Sequence, residues 1–336
     1  MREETRKVFN GYLTQVAKLN GITSAIVKFN VAPAVQQRLE TKIQESSDFL
    51  RRINIVPVTE QEGEAILLGV NGPIASRTNT AAGTRRNPAE RVVLTKDSYS
   101  CKQTNFDSAF PYARVDAWAR FPDFQVRLQS AIAARQALDR IMIGFNGTSA
   151  AAATDIGTNP LLQDVNIGWL QKIRTGAPER VLDEVVDASG EVTIGATGDY
   201  KNLDALVYDA VQMLDPWHRS HPDLVVLVSR DLLHGKLLAA VERGAASNQE
   251  ENAAAEIVTK ARLGGLPIVD APFFPAGTVL ITTLDNLSIY YQEGARRRHI
   301  RDEPDYDRIA DYQSSNDAYV IEDFGLCALV ENIEEV

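Results

Sequence analysis

The chain has 336 residues, 44% of them hydrophobic, and a formal charge of −10 at pH 7. That is enough apolar content for a substantial core and enough length for two domains. An acidic surface repels phosphate, so a free DNA- or RNA-binding protein is excluded apart from local basic patches.

Residues 2–20 place Phe9, Tyr12, Leu13 and Val16 on one face of a helix that Gly21 stops. Ile22–Pro33 has no periodicity and is expected to be an exposed connector. The helix ahead of it either docks on its own domain or serves a partner. Gln36–Phe49 is a second helix, and Ile53–Val58 a short strand that Pro57 confines to an edge or an arm. Glu64–Val70, Val92–Leu94 and Tyr99–Phe106 have strand character. Between the first two lies Ser76–Arg91, SRTNTAAGTRRNPAER, which has almost nothing to bury. The spacing predicts a long two-stranded arm with Arg77, Arg85, Arg86 and Arg91 at a polar, basic tip. A hairpin of this length is marginal alone, so it is expected to lie along another subunit.

The next stretch, Phe121–Gly147 (FPDFQVRLQSAIAARQALDRIMIGFNG), is predicted to be one long scaffold helix. Pro122 suits the first helical position and Asp123 complements the positive helix end. Phe124, Leu128 and Ile132 recur at four-residue spacing, Leu138, Ile141, Met142 and Phe145 continue the stripe, and Asn146-Gly147 can stop it. From Pro122 to Phe145 this is a rod of roughly 36 Å. Arg127, Arg135, Asp139 and Arg140 punctuate it, so one side is expected to be wet or to face another chain.

Thr148–Thr154 is a small-residue loop, and Asn159-Pro160 is expected to open a helix carrying Leu162, Val165, Trp169 and Ile173. Val181–Ile194, with Asp187-Ala188-Ser189-Gly190 between Val-rich flanks, signals a hairpin. A helix over Asp199–Leu214, a buried strand at Asp223–Val228 and a helix at Leu232–Val241 follow. After the polar loop Gly244–Asn252 come a short helix to Leu263 and strands at Leu266–Val269 and Val279–Thr283. This alternation predicts a compact α/β domain with its own core. Leu287–Gln292, Arg297–Arg301, Asp317–Glu322 and Ala328–Ile333 are strand-like and are expected to form a sheet packed on the long helix.

Standard phosphate-loop, serine-hydrolase and zincin signatures are absent from the sequence. The best metal candidate is the pair His218 and His221 with its flanking carboxylates, but Pro216 and Pro222 make that segment a turn entering a strand. Arg296-Arg297-Arg298-His299 is expected to be a solvated strand edge or a contact for phosphate or an acidic neighbour. The acids of Asp302–Asp311 lack the spacing of a calcium loop. Cys101 is expected to be a core residue, and two cysteines, Cys101 and Cys327, fit a reducing compartment. No stretch has the apolar length of a membrane span and Met1–Gly21 has no signal-peptide centre, so a soluble, cytoplasmically made protein is expected. No catalytic residue, cofactor or metal is expected. The residues describe a two-domain protein with arms, built to oligomerise.

Several stretches carry a more specific signal: QESSDFLRRINIVPV (Gln44–Val58), WARFPDFQVRL (Trp118–Leu128), IGFNG (Ile143–Gly147), NPLLQDVNIGWLQKIR (Asn159–Arg174), PDLVVLVSRDLL (Pro222–Leu233), FFPA (Phe273–Ala276) and LSIYY (Leu287–Tyr291). In order and nearly end to end, they resemble the major capsid proteins of temperate contractile-tailed phages of the peduovirus group. The resemblance implies an α+β chain with the HK-97-like shell fold. Residues 1–29 would be a helical prohead segment removed by a phage protease, with the cut near Phe29-Asn30. Residues 30–59 would be the N-arm and 60–110 the extended β-hairpin loop. The peripheral domain would take 111–198, with the spine helix at 122–145, and 286–336, and the axial domain 199–285. The resemblance further implies self-assembly into hexamers and pentamers of an icosahedral shell around packaged double-stranded DNA, within the virion after assembly in the host cytoplasm. Arg77, Arg85, Arg86 and Arg91 would make intersubunit contacts. Implied partners are other copies, a scaffolding and maturation protease, a portal protein, head-completion or decoration proteins and DNA on the inner face, with no membrane. An encapsulin-like compartment shares this fold and is the alternative.

Overall fold

The structure is a computed structural model that describes residues 1–70, 75, 77, 78, 81, 85, 92–118, 124–234 and 262–336. Helix α1 (Glu3–Asn20) ends where Gly21 turns left-handed at φ 64° and its N–H reaches back to Ala17 and Lys18. The connector that follows is exposed only in part, with Ile26, Val27 and Lys28 open to solvent. Ala25, Phe29 and Val31 are buried, and Phe29–Asn30 forms a short strand, β1, because these apolar residues cover the edge of a sheet. Helix α2 (Pro33–Glu45) starts on a proline that loses no hydrogen bond there. Strands β2 (Asn54–Val58), β3 (Glu62–Val70), β4 (Val92–Ser100), β5 (Lys102–Asn105) and β6 (Ser108–Pro111) follow, then helix α3 (Tyr112–Trp118).

The long helix is α4 (Phe124–Asn146), 23 residues; Pro122 and Asp123 lie outside the described residues. After it, the helix expected from Asn159 starts only at α5 (Trp169–Gly176), since Leu162 turns back at φ 58°. The expected hairpin over Val181–Ile194 does not form. β7 (Val181–Leu182) and β8 (Val192–Ile194) are split by the turn containing Ala188 and Gly190, and each pairs with a C-terminal strand instead. Helix α6 (Leu203–Ala210) is capped by Asn202 and leads to β9 (Val225–Val228). Of the expected helix Leu232–Val241, residues 235–241 lie outside the described residues, as does Gly244–Asn252. β10 (Arg262–Leu263) stands where a helix was expected to end, and β11 (Leu266–Val269), β12 (Val279–Thr282) and β13 (Leu287–Gln292) match their predicted spans closely. β14 (Arg297–Glu303), the 14-residue β15 (Arg308–Ile321), β16 (Ala328–Val330) and β17 (Ile333–Glu335) complete the chain.

Two sheets hold the protein together. In the first, β15 is the common axis of the order β1-β14-β15-β13-β2, and it also pairs with β5 and β6. β2 runs parallel to β13 at the sheet edge, which suits Pro57. The second has the order β10-β11-β9-β12-β16-β7. Its strand β9 is buried on both faces: Val225 and Leu227 join the core around α4, while Val226 and Val228 join the core around α6. That explains the unbroken apolar run there. Trp169 joins the α4 core to the first sheet. Its ring lies 5.2 Å from Phe145 and 5.3 Å from Tyr319, and its Nε1 donates to the Ser288 carbonyl at 3.0 Å. Among the described residues β3 and β4 pair only with each other, in register from Glu62↔Ser100 to Val70↔Val92.

Candidate assembly surfaces and the buried polar network

Six polar side chains from four segments meet between α4 and the first sheet. Arg140 on α4 is fully buried, where the punctuated stripe predicted a wet side. Its Nε donates to Asp317 at 3.1 Å, and its guanidinium also binds Glu40 of α2. Arg296, expected at a solvated edge, is buried too. It donates to Glu40 Oε1 at 2.8 Å, Gln136 Oε1 at 3.0 Å and Gln313 Oε1 at 3.2 Å. Two cations thus face two carboxylates, and each fork of donors is matched by acceptors, which is what burial of charge demands. Burial alone would raise the pKa of Glu40, but Arg140 and Arg296 outweigh it and hold the carboxyl below its ordinary range. The alternation of acids and amides along β15 (Asp311, Gln313, Ser315, Asp317), facing the helix layer, was the signal for this network. On the wet side of α4, Arg135 pairs with Asp139 one turn on at 2.7 Å.

Helix α1 docks on its own chain. Val16 is buried, and Phe9, Tyr12 and Leu13 pack against Val115, Ile300 and Ile309. A cavity of about 70 Å³ remains beneath it, lined by Val8, Phe9, Phe110, Leu128 and Ile132 among others. At its rim Arg298 donates to the Tyr12 hydroxyl at 2.8 Å and to Asp311 Oδ1 at 2.9 Å, and Arg6 pairs with Asp302 at 3.1 Å. So Arg298, also expected at a solvated edge, is a half-buried clamp. Phe29 and Asn30 sit in β1, opposite Arg298 and Arg297 of β14.

Arg77 and Arg85 are exposed; Arg86 and Arg91 lie outside the described residues. At the histidine turn, His218 Nε2 lies 3.1 Å from Asp323 Oδ2, whereas His221 Nδ1 accepts from the Asp223 N–H at 3.2 Å, so the two rings do not converge. Among the described residues no group of three His, Cys, Asp or Glu is placed to hold a metal. Of the acids in 302–311, Asp302, Glu303 and Asp311 are engaged by Arg6, Arg308 and Arg298. Cys101 and Cys327 are buried free thiols, each pushed up to about 12 by burial. No helix among the described residues is long and apolar enough to cross a membrane.

Internal ion pairs, a docked N-terminal helix and a hairpin whose strands pair with each other characterise the chain. Residues 8–333 match the model of the phage major capsid protein, P2 family. The chain belongs to that family. It is 49% identical to the capsid protein of Escherichia phage P2, over 99% of this chain and 96% of the relative. It is 44% identical to the major capsid protein of Serratia phage KSP20, over 99% and 97%. Among solved structures, a chain of the satellite phage P4 procapsid including size determination (Sid) protein superposes with a TM-score of 0.82 at 46% identity, covering 100% of this chain and 99% of that one. The α+β fold is therefore the HK-97-like capsid fold, and this member of the P2 family is a phage major capsid protein. Its relatives over the full length are shell proteins, which leaves the encapsulin alternative the weaker reading.

Proposed function

We propose that the chain closes into hexamers and pentamers and that these form an icosahedral head around double-stranded DNA, assembled in the host cytoplasm without catalysis by the subunit. The observation that carries this is the end-to-end likeness to a procapsid chain. The β3–β4 hairpin, whose strands pair with no other strand among the described residues, supports it as an arm that needs a neighbour. Heterologous contacts close rings when the rotation permits, and many weak contacts per subunit make loss of one subunit improbable.

In this reading 30–59 is the N-arm, 60–110 the extended loop and 199–285 the axial domain, whose sheet is completed by β7 and β16. The peripheral domain takes 111–198 and 286–336. A scaffolding and maturation protease removes 1–29 at Phe29-Asn30, and portal, head-completion or decoration proteins and DNA are the further partners. Expression of the full chain with the scaffold, followed by electron microscopy and intact mass, tests this. Closed shells and loss of the first 29 residues are expected; subunits that stay monomeric with scaffold present would overturn it.

A further inference from the structure

At β14 the first sheet exposes a charged patch. Along β14, Arg298 and Ile300 turn toward α1, while Arg297, His299 and Arg301 turn the other way. With Lys28, and with part of Arg298, they line a polar groove of about 370 Å³ in which Asp107 is the one carboxylate among the described residues. The Asp107 carboxylate already accepts the Gln313 N–H at 3.2 Å, and burial raises its pKa. Among the described residues no carboxylate lies within ion-pair distance of Lys28, Arg297 or Arg301. Four residues apart on one strand, Arg297 and Arg301 stand about 13 Å apart, with His299 between them. On a body of net charge −10, this is a built receptor for negative groups.

The opposite charge stands elsewhere on the chain. Residues 183–191 form an exposed loop bearing Asp183, Glu184 and Asp187, with Val185 and Val186 exposed at its crest. The parallel pairing of β17 with β8 sets Glu334 and Glu335 beside it. Basic groove and acidic loop belong to different sheets, so they are distinct patches, the arrangement a head-to-tail contact between identical subunits requires. We propose that the loop 183–191 of one copy seats in the Arg297–Arg301 groove of a neighbouring copy. The exposed side chains of Val185 and Val186 would be covered on docking. This rests on the shell reading above. The contact selects the right neighbour and speeds encounter more than it adds affinity.

The test is charge exchange in the full chain co-expressed with scaffold. R297E/R301E and D183K/D187K are each expected to lower shell yield by about tenfold or more, with circular dichroism and melting unchanged, and the combined variant to recover to within about threefold of wild type. Wild-type yield from either reversal alone, or no recovery in the combination, overturns the proposal. Should a reversal impair folding, R297Q/R301Q serves instead, and yield that then falls with salt as steeply as in wild type counts against it. Salt-dependent binding of mixed-sequence duplex DNA by the unassembled subunit, lost in R297E/R301E, would assign the groove to DNA and likewise overturn it. Failure of wild type to assemble with scaffold would sink the shell reading itself, a separate result.

Discussion

Arg296 Nη1 lies 2.8 Å from Glu40 Oε1, and neither side chain reaches solvent. The bond ties α2 to the turn ahead of β14, and Arg140 of α4 shares the same carboxylate. Glu40→Gln would leave two buried guanidinium groups with one carboxylate between them. A loss of about 3–5 kcal/mol in denaturant unfolding is expected. A loss well under 1 kcal/mol would mean that water reaches the site.

The same carboxyl sets a pH dependence. Its folded pKa is depressed, so its contribution is fully present above the unfolded value of about 4.3 and is lost as pH falls through the folded value. In that window the unfolded state binds more protons, and stability rises with pH. Unfolding midpoints measured from pH 6 down to pH 3 should fall, and Glu40→Gln should remove part of the slope.

Gly144 shows why a helix residue can be fixed by its neighbour. A Cβ there would sit 2.2 Å from the Trp169 ring, which is fully buried. Gly144→Ala would gain helix propensity yet is expected to cost about 1–3 kcal/mol, because neither α4 nor the indole can yield. Equal or higher melting temperature would show that the ring can shift.

These two sites also mark what was legible in the sequence. The apolar period gave α1, α4 and the strands of 266–292 nearly to the residue. Arg140 and Arg296 read as wet because a single sequence shows charge but not the acceptors brought from 40 and 317. Val181–Ile194 failed for a related reason: its local turn signal was correct, but β7 and β8 found better partners in β16 and β17, more than a hundred residues on. Local chemistry predicted elements and turns; pairing over long separations and burial of charge came from the tertiary structure. The basic groove follows the same rule, since the run at 296–299 splits between two faces of one strand, with Arg296 buried ahead of it.

Both thiols should be silent in the folded protein. Cys101 and Cys327 are buried and raised to about 12, so almost no thiolate exists at pH 8. A thiol-disulfide reagent is expected to label neither under native conditions and both in denaturant. Rapid native labelling of either would reveal local opening around it.

The hairpin tip tests the arm reading. Reversing Arg77, Arg85 and Arg86 together to Glu should leave monomer melting unchanged and lower shell yield by about tenfold, if the arm finds its neighbour by charge. Normal particles by electron microscopy would assign the tip no role in docking.

The proposed cut at Phe29-Asn30 meets a physical obstacle. Both residues pair with β14, the Val31 N–H donates to the Arg296 carbonyl at 2.8 Å, and Phe29 is buried under α1. A protease needs an extended, free segment, so β1 must first peel from β14, and α1 must loosen with it. Where opening is fast relative to cutting, the rate follows the open population. Phe9→Ala with Val16→Ala trims the apolar contacts that seat α1, beside a cavity that already weakens them. Each ~1.4 kcal/mol lost is tenfold in that population, so cleavage should speed up by about tenfold or more, followed as a time course of intact mass. An unchanged rate would show that the bond is reached without releasing the helix, and would place the control of processing in the assembled shell instead.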